Sequence, residues 1–294
     1  MVRKAARGYG FVMLTNLDHL TIAVRDVALA TETYERLFGV PALWRGAHPE
    51  AGTEATLFSL RNGVIELLGP SSSATDATET EGFRSLLAER GEGLLTLSFG
   101  TADAAAATKQ LRERGVRATP PQDGEAHGLG GGTRRYRLVE LSSRSTRSLS
   151  ISLVERPESL LSDSKVERPP GALTALDHVV IRSADLDAAR TLYGQALGVR
   201  LALDTTVVGT RMLFFRIGGV TLEVVEDPSL DAADLLHGLA YRVDDLPAAQ
   251  RRLAASGFLV GDLREGRKPG TQVLTVRDGT HGVPTLVLRD PARD

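Results

Sequence analysis

The stretch Leu17-Asp18-His19-Leu20-Thr21-Ile22-Ala23-Val24 recurs as Leu176-Asp177-His178-Val179-Val180-Ile181-Arg182-Ser183. Both are runs of β-branched and other apolar residues, so each reads as a strand. An Asp follows each run (Asp26; Asp185) at the start of an amphipathic stretch, where a carboxylate caps a helix. The amphipathic stretches end alike, in Tyr34-Glu35-Arg36-Leu37-Phe38-Gly39-Val40 and Tyr193-Gly194-Gln195-Ala196-Leu197-Gly198-Val199. Gly39 and Gly198 stand where a helix closes in the left-handed conformation that glycine adopts without strain.

The likeness continues outward. Thr56 to Leu60, a turn at Asn62-Gly63 and Val64 to Leu68 read as a hairpin; so do Met212 to Ile217, Gly218-Gly219 and Val220 to Val225. The offset is 159 residues between His19 and His178 and 157 between Glu66 and Glu223. A nearly constant offset over a whole unit argues for duplication. Weaker copies follow each unit. Leu94 to Phe99 reads as a strand, Asp103 to Arg114 as a helix, and Arg135 to Leu141 and Leu149 to Val154 as strands. Leu239 to Val243, Asp245 to Ser256, Gln272 to Val276 and Thr285 to Leu288 repeat that order. The chain therefore holds four βαβββ units, here 1A, 1B, 2A and 2B. Ser71 to Glu81 and the Pro- and Gly-rich Thr119 to Thr133 read as loops. The expected division is a flexible extension over residues 1–16, a first domain over 17–156, a linker over 157–172 and a second domain over 173–290. Met13 is a second candidate start.

Composition excludes several classes. A length of 294 residues suits two domains. The net charge of -2 supplies no field that would draw the chain to nucleic acid or an anionic membrane. The absence of cysteine removes disulfides, thiolate metal sites and a cysteine nucleophile. Any metal must use His, carboxylate, carbonyl or water. No apolar run is long enough to span a membrane. The cytoplasm is the expected compartment, a small molecule the expected partner, and a monomer or homodimer the expected state. Gly128 to Gly132 lacks the lysine and the strand-then-helix setting of a nucleotide loop.

An opening strand LDHLTIAV or LDHVVI, a helix ending YERLFGV or YGQALGV, and a hairpin ending IELLGP or LEVVED resemble the glyoxalase/bleomycin-resistance/extradiol-dioxygenase superfamily, the vicinal oxygen chelate proteins. The resemblance covers Leu17 to Arg289. It implies an α+β fold of two tandem glyoxalase-like domains, each a pair of βαβββ modules forming a cupped mixed sheet. It also implies metal ligands early in each module's first strand and midway along its last strand. Units 1A and 2A match with His19 and Glu66, and with His178 and Glu223. A divalent ion (Zn, Ni, Co, Mn or Fe) held there would polarise vicinal oxygens, with Glu66 or Glu223 shuttling a proton.

Units 1B and 2B depart from the pattern. Counting back from the strand ends places Leu94 and Gly238 where His is expected, with His237 one residue off. Ser152, and Thr285 or Leu286, stand where a carboxylate is expected. A site built from an A and a B unit then holds one His and one Glu. If units 1A and 2A face each other instead, the four ligands form a single two-His, two-Glu site. The implied activity is a metal-dependent lyase or isomerase acting on a small α-hydroxycarbonyl or similar metabolite. A metal-free drug- or metabolite-binding protein and an extradiol-type dioxygenase are the alternatives. A purely structural account also stands, in which each His caps its sheet and the repetition is ancestral.

Softer candidates for substrate contact are His48, Arg211, Arg267 and Lys268. Arg211, Leu213 and Phe215 share one strand face and Met212, Phe214 and Arg216 the other; alternation does not say which is inward. Trp44 and Tyr241 suit a pocket wall or a core. His127 and His281 lie in Gly-rich turns and read as incidental.

Overall fold

A computed structural model describes residues 13–72, 77–157 and 167–290. Strand β1 (Asn16–Ala23) carries the first quoted run. Asp26 caps helix α1 (Val27–Phe38) by accepting from the Leu29 N–H, and Gly39 closes it at φ 75°. The buried face of α1 holds Val27, Ala30, Tyr34, Leu37 and Phe38, the stripe that amphipathic spacing predicts. Then come β2 (Trp44–His48), β3 (Thr53–Leu60) and β4 (Gly63–Pro70). Helix α2 (Ala77–Arg90) leads to β5 (Gly93–Gly100), α3 (Ala104–Glu113), β6 (Gln122–Gly128), β7 (Thr133–Glu140) and β8 (Ser150–Glu155).

These eight strands close into a barrel in the order β1-β4-β3-β2-β6-β7-β8-β5. The seam is the short β2–β6 pairing, Gly46 opposite Gly128 and Ala47 opposite His127. Register fixes what faces inward, because paired residues share a face. One inward row reads Trp44, Leu57, Glu66, Thr21, Thr96 and Ser150 across six strands. The next reads Ser59, Val64, His19, Ser98, Ser152 and Glu140.

The second domain repeats the plan with β9 (Ala175–Ser183), α4 (Leu186–Arg190), β10 (Arg200–Val207), β11 (Thr210–Ile217), β12 (Val220–Glu226) and β13 (Leu235–Arg242). Helix α5 (Leu246–Ala255), β14 (Arg264–Glu265), β15 (Gln272–Val276) and β16 (Thr285–Arg289) complete it. After α4 the chain continues as π-helical turns over Thr191–Ala196. This sheet stays open, in the order β10-β11-β12-β9-β13-β16-β15-β14.

The structure corrects several expectations. Each A module joins the B module of its own domain, and the two domains have separate sheets, so units 1A and 2A do not face each other. His19 with Glu66 and His178 with Glu223 cannot form one four-ligand site. The loop expected over Thr119 to Thr133 contains β6, whose residues lack apolar alternation and gain their place by pairing with β2 and β7. The loop expected over Ser71 to Glu81 gives way to α2 from Ala77. Met13 and Leu14 are buried, and Thr15 N–H bonds the Gly100 carbonyl, so residues 13–16 belong to the first domain. Residues 1–12 and the linker residues 158–166 lie outside the described residues.

One apolar cluster runs through both domains. Phe38 packs edge-on against Tyr241, ring centroids 5.3 Å apart, and Tyr34 OH donates to the Thr280 carbonyl at 3.2 Å. No helix among the described residues is long and apolar enough to cross a membrane.

Candidate functional site

The barrel of the first domain encloses a cavity of about 430 Å³ lined by residues of both inward rows, His19, Glu66, Thr96, Ser98 and Ser152 among them. His19 Nδ1 lies 2.7 Å from Asp18 Oδ1. An ionised carboxylate only accepts, so Nδ1 carries the proton and Nε2 turns its lone pair to the cavity. That Nε2 is 3.6 Å from Glu66 Oε2, too long for a hydrogen bond. Thr21 Oγ1 donates to the same oxygen at 2.8 Å and steadies it. The other Glu66 oxygen, Oε1, is 3.9 Å from His48 Nε2. His48 Nδ1 in turn faces Tyr136 OH at 3.5 Å. Glu66 thus sits between two imidazoles, one for each oxygen, with about an eighth of its side chain exposed.

Asp18 is held from both sides. Besides His19 it accepts from Arg156 Nε at 3.1 Å and 3.3 Å. Burial works to raise its pKa, but the hydrogen bonds and charges of His19 and Arg156 outweigh it and leave the carboxyl below its ordinary value. Burial, reinforced by the Glu66 charge, pushes the Tyr136 hydroxyl up.

Two glycines shape the wall. A Cβ on Gly46 would stand 2.2 Å from the Trp44 ring, and one on Gly124 would stand 2.5 Å from the Tyr136 ring. Each aromatic ring therefore folds down over bare backbone. An arginine covers each ring in turn, Arg134 over Trp44 at 5.3 Å and Arg156 over Tyr136 at 5.2 Å.

Register locates the positions where module 1B would supply ligands. Glu66 pairs with Thr21 as Ser152 pairs with Ser98, and His19 stands to Thr21 as Thr96 stands to Ser98. The counterpart of His19 is thus Thr96, not Leu94, because a bulge interrupts the β1–β5 pairing and defeats counting along the sequence. Ser98 and Ser152 bond each other at 2.9 Å. Module 1B presents hydroxyls where module 1A presents imidazole and carboxylate.

In the second domain His178 Nδ1 is 3.2 Å from Asp177, and Nε2 is 3.8 Å from Glu223. The same register logic places Gly238, Ala240 and Leu286 across from them, without a single hydroxyl. Phe214 and Arg216 pair with Glu223 and Thr221, so Met212, Phe214 and Arg216 share the Glu223 face. Arg211 lies on the opposite face, held by Asp204 and Asp187. Arg267 reaches Met212 Sδ at 4.0 Å and Lys268 pairs with Asp290 at 2.5 Å. Neither lines the first-domain cavity; His48 does. His281 is not incidental, since its Nδ1 pairs across the domains with Glu92 at 3.1 Å.

Asp18, Tyr136 and Arg156 escape a search for ligand patterns. Tyr136 and Arg156 carry no spacing signal, because only barrel closure brings them to His48 and Asp18. By donor chemistry His19 and Glu66 fit a divalent cation, an imidazole of fixed tautomer beside a carboxylate. No group of three or more His, Asp or Glu converges to hold a metal among the described residues. A cation at this pair would leave most of its coordination positions to water and substrate.

Paired βαβββ modules with a His–Glu pair turned into a cupped sheet define the glyoxalase class of fold. The family comparisons agree. Residues 17–172 match the model of the Glyoxalase-like domain, and residues 175–291 match that of the Glyoxalase/Bleomycin resistance protein/Dioxygenase superfamily. The chain belongs to this superfamily, with two such domains in tandem. No curated protein matches the chain. Among solved structures it is similar to a mutant of 4-hydroxymandelate synthase from Streptomyces coelicolor, with 15% identity, TM-score 0.68, and 94% of this chain and 92% of that one covered. It is also similar to the Mn(II)-bound glyoxalase from Novosphingobium aromaticivorans, with 15% identity, TM-score 0.64, and 94% and 82% coverage. A hypothetical protein from Staphylococcus aureus aligns at 9% identity and TM-score 0.63, over 94% of this chain and 98% of that one. At these identities the likeness shows the fold alone.

Proposed function

We propose that the first-domain cavity is the working site and that it carries a metal-assisted lyase or isomerase reaction on a small α-hydroxycarbonyl or similar metabolite. The observation that supports this most is the placement of Glu66 between His19 Nε2 and His48 Nε2 on the wall of a 430 Å³ cavity. At the matching positions of module 2B the second-domain pair meets Gly238, Ala240 and Leu286, which carry no hydroxyl.

His19 and Glu66 are the residues that would hold the divalent cation. When bound, it supplies a Lewis acid for the substrate's vicinal oxygens. Glu66 Oε1, the oxygen facing His48, takes a proton from the carbon beside the carbonyl. His48, backed by Tyr136, gives a proton to the oxygen that gains charge. The half-buried Tyr136 and the flanking barrel strands limit water at the reacting atoms.

The test is elemental mass spectrometry of tag-free protein after dialysis against Mn²⁺, Zn²⁺ or Ni²⁺, alongside His19→Ala and His178→Ala. About one equivalent is expected in the unaltered protein and in His178→Ala, with loss in His19→Ala. Loss in His178→Ala alone would move the site to the second domain. No metal in any form would favour a second reading, a metal-free binding protein. The hydroxyls Thr96, Ser98 and Ser152 at the module 1B ligand positions speak for that reading.

A further inference from the structure

The side chains around the cavity join into a circuit that passes through two residues of module 1B, Tyr136 and Arg156. It runs from Asp18 to His19 (2.7 Å), Glu66 (3.6 Å), His48 (3.9 Å) and Tyr136 (3.5 Å), then under the Arg156 guanidinium (5.2 Å to the ring centroid) and back to Asp18 (3.1 Å). Arg156 alone touches both arms. Its Nε grips the carboxylate that orients His19, and its guanidinium plane covers the ring whose hydroxyl faces His48. Taking the first-domain cavity as the working site, we propose that Arg156 is the positioning residue that sets the two imidazoles against Glu66.

The physical case has three parts. First, Asp18 and Arg156 have only 11% and 14% of their side chains exposed. A buried carboxylate left without its cation turns toward water, and His19 Nδ1 then loses its acceptor. Neutral imidazole in water prefers its proton on Nε2, the atom whose lone pair would have to stay free to hold a cation beside Glu66. Second, a planar guanidinium can bond a carboxylate through its edge while its face lies over an aromatic ring; an ammonium is a point charge that can serve either partner but not both from one position. Third, the second domain lacks the device. Counting from the matched pair Ser152 and Leu286, the position of Arg156 is Asp290, which pairs with Lys268. There Asp177 has Arg242 Nε at 3.7 Å, and its bond to His178 is 3.2 Å against 2.7 Å for Asp18 and His19. Arg156 thus accounts for what a module without metal ligands contributes to the site.

The experiment is long-range ¹H–¹⁵N NMR of the imidazoles in metal-free, substrate-free full-length protein, with His19→Gln and His48→Gln used for assignment. In the unaltered protein His19 is expected in the Nδ1–H form. Arg156→Gln should shift His19 toward the Nε2–H form and also move the His48 resonances, with the amide spectrum otherwise preserved. Arg156→Lys should restore the His19 signals but not those of His48. Unchanged His19 and His48 in Arg156→Gln would overturn the proposal. If Arg156→Gln does not fold, Arg156→Lys decides: His48 altered with His19 retained supports the role, and both unchanged sinks it. The readout needs neither metal nor turnover, so its failure is distinct from failure of the metal experiment.

Discussion

At Gly46 an added methyl group would meet the Trp44 ring at 2.2 Å and the His127 carbonyl oxygen at 2.3 Å. Backbone on one side and a ring on the other leave nowhere to move except into the cavity. Gly46→Ala should therefore destabilise the fold by about 1–3 kcal/mol, the usual cost of overpacking. Trp44 is the only tryptophan, so its emission reports the same event. Urea denaturation and the emission spectrum check it, with Gly130→Ala as control because nothing lies within 4 Å of a Cβ there. An unchanged spectrum and midpoint in Gly46→Ala would show that the wall gives elsewhere. The residue scale is also where reading the sequence succeeds and then stops. His19 and Glu66 are legible because duplication repeats them with His178 and Glu223. Arg156 and Tyr136 have no such echo, and their roles follow from contacts between strands distant in the chain.

Helices and strands differ in how far local signals reach. Helix α1 is specified at both ends, by the Asp26 cap and by Gly39 at φ 75°. Gly39 also seats the domain interface, since Arg252 donates to the Gly171 and Leu37 carbonyls and a Cβ on Gly39 would be 3.1 Å from its guanidinium carbon. Gly39→Ala should cost about 1–2 kcal/mol from the left-handed backbone and this crowding together. Chemical denaturation measures it. A loss below a few tenths of a kcal/mol would show that both strains relax. Strand β6 is the opposite case. Gln122 to Gly128 has no alternating apolar pattern and is a strand only because β7 and β2 pair with it. The barrel seam therefore was not visible in periodicity.

Across the whole molecule the domains are welded rather than tethered. The cluster joining Leu17 and Phe38 to Tyr241 and Val287 is continuous. Arg147 Nε pairs with Asp234 Oδ1 at 2.9 Å, and the Asp234 backbone N–H donates to the Arg147 carbonyl at 2.8 Å. Burial pushes the Asp234 carboxyl up against the pull of Ser183 and Arg147. A shared core predicts one unfolding transition, with calorimetric and van't Hoff enthalpies equal. Two resolved transitions in scanning calorimetry would contradict this. Arg147→Ala, which strands a buried carboxylate, should lower the stability of that single transition by about 3 kcal/mol.

The duplicated strand–helix–hairpin units, their caps and the two His–Glu pairs follow from local pattern, because periodicity, turn chemistry and repetition all act over a few residues. Which modules join was decided only in three dimensions. Each B module pairs with the A module before it, which parts His19 and Glu66 from His178 and Glu223. A β-bulge then shifts the opposing face so that Thr96, rather than Leu94, looks into the cavity. A one-residue change of register reverses the face of every following side chain. That is why the chain's own spacing named His19, Glu66 and the adjacent Asp18, and barrel closure supplied the rest with Tyr136 and Arg156.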